Sequence, residues 1–214
     1  MGRIIHNTEA SLSGKVGNMV YVQDHGATYL RTVPKRTKDS WTPKQLQHRR
    51  RFSKVNAFCN KFKRPAIRGI WNLASPSNRG YSLFVKANMP AFDLEGELID
   101  ARMLQISTGK LILPRQLKAE RQAEGASLIA VSWMNDANLV TERLNDELMT
   151  VSGNATHYSD VLATGLHRSD LRGTFELPFR PLNVTHVFLY FASRGGQDFS
   201  DSMCFEVEYN KIER

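Results

Sequence analysis

Between Val16 and Val33 the pattern is short, rich in β-favouring residues and hinged at its middle. Met19-Val20-Tyr21-Val22 and Thr28-Tyr29-Leu30-Arg31-Thr32-Val33 flank Asp24-His25-Gly26. This spacing predicts a β-hairpin, with Gly26 supplying the positive φ of a three-residue loop. From residue 41 the period lengthens. Trp41-Thr42-Pro43-Lys44-Gln45-Leu46 offers a capping threonine, a first-turn proline, a back-reaching glutamine and a Trp41/Leu46 hydrophobic staple, so a helix is expected to start there. Phe52, Val55, Phe58, Cys59 and Phe62 then fall in one arc of about 120° and form the expected buried stripe. Arg50, Lys54, Lys61 and Arg64 project on the opposite face, with Arg49 alongside. Pro65 is expected to end or kink this helix near Lys63, and two short helices follow, one over 66–73 and one around Tyr81, Phe84, Val85 and Asn88 that Pro90 stops.

Beyond Pro90 the pattern becomes strand-like, and turn signals recur every ten to twenty residues. Strands are expected over 110–113, 117–122, 128–133, 147–152, 157–163, 173–177, 187–192 and 203–209. Ala130-Val131-Ser132-Trp133 and Phe188-Leu189-Tyr190-Phe191-Ala192 read as central strands, and Arg194-Gly195-Gly196-Gln197-Asp198 as the loop between the last two. Many short strands without intervening helices point to a sandwich. The expected fold is therefore α+β: a hairpin and basic helices over residues 1–90, then an immunoglobulin- or fibronectin-III-like antiparallel β-sandwich over 91–214, with Trp133 in its core.

Charge divides the chain at the same place. Residues 1–90 hold 17 basic and three acidic side chains, a balance of +14, whereas residues 91–214 hold 12 basic and 18 acidic ones, a balance of −6. A basic segment of this kind seeks an anionic partner. Arg49, Arg50, Lys54, Lys61, Lys63, Arg64 and Arg68 are the candidate partner-binding residues. They could meet an acidic protein surface, including the acidic half of a neighbouring copy, or neutralise phosphates without sequence choice. Phe52, Phe58 and Phe62 are assigned to the core, which disfavours base stacking on single strands.

No enzyme constellation emerges, and no cofactor or metal is expected. The six histidines lack HExxH spacing, Ser132 is outside any GxSxG elbow, and Ser13-Gly14-Lys15-Val16-Gly17 lacks the spacer and second glycine of a phosphate loop. Glu206 and Glu208 share a strand face that reads as solvated. Cys59 and Cys204 sit in dissimilar segments and are read as buried, reduced thiols. No run approaches the roughly 18 apolar residues of a membrane span, and the opening Met1-Gly2-Arg3-Ile4-Ile5-His6 lacks a secretory core, so no membrane partner is expected and the location is the cytoplasm, or a virion if phage-encoded.

Several landmarks occur in order along nearly the whole chain: Ser13-Gly14-Lys15-Val16-Gly17-Asn18, Tyr29-Leu30-Arg31 with Pro34, Thr42 and Gln45, Arg49 and Phe52, and Phe191-Ala192-Ser193 with Ser200-Asp201-Ser202. Together they resemble an uncharacterised family of Bacteroidota, phage and mobile-element proteins. The resemblance implies a basic N-terminal segment followed by a sandwich, without catalytic residues. The expected role is a non-enzymatic structural or assembly subunit that docks protein neighbours, copies of itself among them; the alternative is a nucleic-acid-binding accessory protein.

Overall fold

The computed structural model describes residues 2–3, 13–24, 27–33, 35, 41–62, 65–75, 79–122, 127–154, 157–178 and 186–207. The fold is α+β, with antiparallel sheets and few helices. Two compact units divide at Pro43 and Lys44.

The first unit is an antiparallel sheet of β1 (Gly2–Arg3), β2 (Gly14–Val16), β3 (Met19–Asp24) and β4 (Ala27–Thr32), in the order β1-β4-β3-β2. The expected hairpin is β3 and β4, paired Tyr21 to Leu30 and Val22 to Tyr29; its turn residues His25 and Gly26 lie outside the described residues. The glycine-rich stretch read against a phosphate loop forms β2 and its turn, where Gly17 holds φ +58°.

In the second unit α1 (Pro43–Cys59), α2 (Pro65–Leu73) and α3 (Gly80–Asn88) come first. Two sheets follow. β5 (Arg115–Arg121), β6 (Leu128–Met134) and β9 (Arg172–Glu176) form one, in the order β5-β6-β9. β7 (Glu147–Gly153), β8 (Leu162–His167), β10 (His186–Ala192) and β11 (Met203–Glu206) form the other, in the order β11-β10-β7-β8.

β10 explains this arrangement. Six consecutive apolar residues follow His186, and the strand period of two sends them to opposite faces, so the four-stranded sheet has to be covered twice. Val187, Leu189 and Phe191 join Leu117, Ile129, Val131, Trp133 and Phe175 in a core shared with the three-stranded sheet. Phe188 and Tyr190 join Val55, Cys59, Phe62, Trp71 and Phe84 in a second core shared with the helices. Burying each of these large side chains contributes about 1.5–3 kcal/mol. The Tyr158 ring, 4.3 Å from that of Phe62 and 5.8 Å from that of Phe58, ties the helices to the sheet.

The helices are therefore one face of the second unit's core. The division by charge at residue 90 is not a division in packing, because residues 91–214 alone would leave Phe188, Tyr190 and Tyr158 uncovered on the helical side. Helices α2 and α3 meet closely at Gly80, where a Cβ would stand 2.5 Å from the Asn72 backbone nitrogen. Buried Asn88 stitches α3 to the following chain: its amide donates to the Phe84 and Gln105 carbonyls and accepts from the Gln105 N–H.

Four local expectations change. Phe52 is 48% exposed instead of buried, because it lies at the edge of the helix arc that Val55, Cys59 and Phe62 turn inward. Helix α1 ends at Cys59 and continues as a 3₁₀ turn over Asn60–Phe62, before the expected end near Lys63. Residues 110–113 form no ladder; Leu111 makes one isolated parallel bridge to Ser200. The strand expected over 157–163 starts at Leu162, because the Tyr158 ring turns into the aromatic core and the Ser159 hydroxyl accepts from the Ser152 N–H.

Trp133 is 3% exposed, its ring 5.5 Å from that of Phe191 at 73°, and its indole N–H donates to the Arg168 carbonyl. Replacing it with Ala is expected to cost about 3–5 kcal/mol, read as a lowered urea midpoint at unchanged slope. A midpoint matching the parent's would exclude a central role for this ring.

Candidate functional site

The described residues among the predicted basic set differ in what their side chains meet. Lys63 and Arg64 lie outside the described residues. Lys54 is bound within the chain: its ammonium pairs with Glu97, which raises its pKa. Two turns earlier the Gln47 amide donates to Glu95 at 3.1 Å. Arg51, absent from the candidate list, donates to the carbonyls of Met89 and Phe92 at 3.0 and 2.9 Å. These three side chains pin the 89–97 turn onto α1. Gly96 makes the approach possible, since it holds φ +80° and a Cβ there would come within 2.9 Å of the Lys54 Cβ.

The remaining cations differ. Lys61 stands 5.2 Å from the Phe58 ring centroid, a cation–π contact. Arg49, Arg50 and Arg68 are exposed, the first two on α1 and the third on α2. From Pro43 to Arg50 every residue except Gln47 is exposed, Leu46 among them. Beside this helix end a 490 Å³ groove runs between α1 and α3, lined by Phe52, Tyr81, Val85, Met89 and Pro90 with Lys86 at its rim. No acidic residue occurs between Asp39 and Asp93. The outer helical surface is thus cationic with apolar side chains set into it.

A second polar constellation escaped the sequence reading. A cleft of 880 Å³ beside the core between the two sheets is lined by Arg115, Asp136, Arg143, Asp146, Arg168 and Asp198, together with Ile112 and Val140. Arg168 and Asp146 are both 3% exposed at the side chain and stand 3.2 Å apart. The Arg168 guanidinium also donates to the Ile112 carbonyl at 2.6 Å and lies 4.4 Å from the Phe191 ring centroid. Its backbone is equally committed: the N–H donates to Asp146, and the carbonyl accepts from Trp133 and Asn135. Arg143 reaches Asp146 at 3.7 Å and Asp198 at 3.5 Å, and Arg115 pairs with Asp136. Each arginine has a carboxylate partner: the Arg168–Asp146 pair is buried, whereas Arg115 is largely exposed. Sequence spacing gave no signal for this constellation, because all the pairs except Arg143–Asp146 are twenty or more residues apart and a lone arginine after a strand reads as solvated.

The serines of the C-terminal landmark are likewise structural. Ser200 Oγ accepts from the Phe191 N–H and donates to the Asp201 carbonyl, Ser202 Oγ accepts from the Ile106 N–H, and Ser107 Oγ donates to the Ser200 carbonyl. They clasp the chain after β10 to the segment that follows α3. Cys59 and Cys204 are free, and burial pushes both thiols up to about 12, which leaves little thiolate near neutral pH. Among the described residues no group of three or more His, Cys, Asp or Glu is positioned to hold a metal, and no helix is long and apolar enough to cross a membrane. Glu206 is exposed, as a solvated face requires, while Glu208 lies outside the described residues.

Burial raises the Asp146 carboxyl above 3.8 more strongly than Arg168 and Arg143 lower it. The native state therefore binds the Asp146 proton more readily than the unfolded chain. Its contribution to stability is fully present below the unfolded value and is lost as pH rises through the raised native one. Asp146→Asn is expected to flatten that part of the stability–pH curve, measured by urea unfolding from acid to neutral pH. Asp146→Ala leaves Arg168 buried and unpaired and is expected to cost about 3–5 kcal/mol, most of it recovered in Asp146→Leu with Arg168→Met. A double variant whose loss equals the sum of the two single losses would show that the two side chains act independently.

No protein-family model matches the sequence, and no curated protein matches it.

Proposed function

We propose that this chain is a non-enzymatic structural or assembly subunit whose helical layer docks a protein neighbour. The observation that carries this reading is the exposed N-terminal half of α1. Leu46 and Phe52 are 42% and 48% exposed beside Arg49 and Arg50, and the apolar groove between α1 and α3 continues the surface. Phosphates require cations alone, whereas a protein partner uses both the cations and the apolar side chains. The partner of matching charge is the acidic 91–214 half of another copy, which gives a head-to-tail contact able to form rings or open arrays.

We also read residues 115–207 as an immunoglobulin- or fibronectin-III-like sandwich. Its support is the strand order, β5-β6-β9 facing β8-β7-β10-β11, with Trp133 packed between the sheets. The fourth strand joins β7 instead of β9, a departure from the constant-type order, and no cysteine pair spans the sheets. A phage or mobile-element particle is the proposed context, on the resemblance of the ordered landmarks alone. Nucleic-acid binding is the second reading, favoured by the absence of acidic residues from the helical layer.

In nuclease-treated protein, head-to-tail association is expected to weaken as salt rises and to fall about tenfold or more in Arg49→Glu with Arg50→Glu, at an unchanged melting temperature. Light scattering against concentration and salt reads this. Association that disappears with nuclease and returns on adding any long duplex would reverse the two readings.

A further inference from the structure

The helices of the second unit cover the four-stranded sheet, and the outer face of β5, β6 and β9 is left to solvent. Register fixes which side chains stand on that face. Lys118 pairs with Ser132 and Ser132 with Arg172, so these three form one row across the sheet; Glu120, Ala130 and Thr174 form the next in the same way. Ala119, Ile129, Val131 and Phe175 turn to the opposite face and into the core, as a strand period of two requires.

The central strand carries only the small side chains Ala130 and Ser132 on this face, between longer ones on β5 and β9. A trough of 520 Å³ results, walled by Lys118, Glu120, Gln122, Arg172 and Thr174. That volume is within the range of small-molecule sites. Its cations distinguish it from a mere gap between side chains. Elsewhere in the acidic half Arg102, Arg115, Arg143 and Arg168 each lie against a carboxylate. Lys118 and Arg172 pair with none among the described residues, although Glu120 stands in the next row and Glu176, which accepts from the Ser127 hydroxyl, lies beyond it. Neighbouring strands are spaced about 4.8 Å apart, so the two cations flank Ser132 from about 10 Å apart at the backbone, and side chains of their length can close over its hydroxyl.

We propose that this trough binds a monosaccharide bearing one phosphate or sulfate group, with the charged group over Lys118, Ser132 and Arg172 and the sugar hydroxyls over Glu120 and Thr174. The ammonium, the guanidinium fork and the serine O–H all donate to the same oxyanion. The next row offers a carboxylate and a hydroxyl instead, which accept from sugar hydroxyls and repel a second anion. A nucleic-acid strand would set successive phosphates against Glu120 and Glu176, and the trough holds no aromatic ring on which a base could stack. The ligand is therefore small, singly anionic in character and rich in hydroxyls.

This site goes beyond the docking reading and does not depend on it, since it lies on the other side of the second unit from the helical layer. Amide shifts of the full-length chain, followed by NMR during titration with glucose 6-phosphate, glucose 6-sulfate or inorganic phosphate, are expected on β5, β6 and β9, with at least one sugar ester binding about tenfold more tightly than inorganic phosphate. Comparison of the two esters tells which oxyanion is preferred. Lys118→Gln with Arg172→Gln is expected to weaken ester binding about tenfold or more, whereas Arg194→Gln, an exposed cation of the last loop, leaves it unchanged. All three replaced side chains are exposed, and circular dichroism checks the fold. Glu120→Ala with Thr174→Ala is expected to remove the advantage of the ester while inorganic phosphate binds at least as tightly as before, a split that general attraction to a cationic chain would not produce. Shifts confined to α1, an ester that binds no better than inorganic phosphate, or a double Gln variant that binds like the parent would overturn the proposal.

Discussion

Strand β10 has to be hidden from water on both sides, and most of the second unit follows from that. Phe188 and Tyr190 point one way, Val187, Leu189 and Phe191 the other, and none is accessible to solvent. The three-stranded sheet covers one side and the helices the other. A basic helical arm detached from the sandwich is therefore incompatible with the strand it would abandon. The same constraint selects the outward face of α1: once Val55, Cys59 and Phe62 are turned inward, Arg49, Arg50 and Phe52 are left outside.

Polar groups fix how these layers register. Arg168 connects β6, the segment before β7 and residue 112 through its guanidinium and both backbone groups. Asn88 and the Ser107, Ser200 and Ser202 hydroxyls do the same between α3 and the chain after β10. Apolar packing is non-directional, so it tolerates sliding of one layer over another. A buried polar group left without its partner costs about 1–3 kcal/mol, and a slipped layer would strand several at once. The buried ion pair contributes in this sense more to uniqueness than to net stability, given the desolvation that raises Asp146.

What the sequence made legible is what local pattern encodes. The hairpin, three helices and most strands follow from period and turn chemistry, β10 announces itself as core by an unbroken apolar run, and Trp133 does so as the aromatic of a strongly β-patterned strand. Three things were not legible. Tyr158 sits in an alternating stretch that reads as strand, but its ring is claimed by Phe58 and Phe62, a hundred residues away in sequence. Lys54 looks like a free member of a basic face because its partner Glu97 lies beyond two further helices. Arg168 gives no signal at all, since its environment is assembled from four separated segments. In each case a long-range contact overrode a correct local reading.

The charge asymmetry that dominates the sequence also changes meaning once folded. Part of it is consumed internally, with Lys54, Gln47 and Arg51 holding the turn that carries Asp93, Glu95 and Glu97. What remains outside is divided by surface. The helical layer mixes cations with exposed apolar side chains, while the small N-terminal sheet keeps Lys15 and Arg31 on one face and leaves the other uncharged. A uniform basic coat would suit a polyanion and resist self-association. Where cations and apolar side chains are exposed together, as on the helical layer, a contact has one part that salt screens and one that it does not.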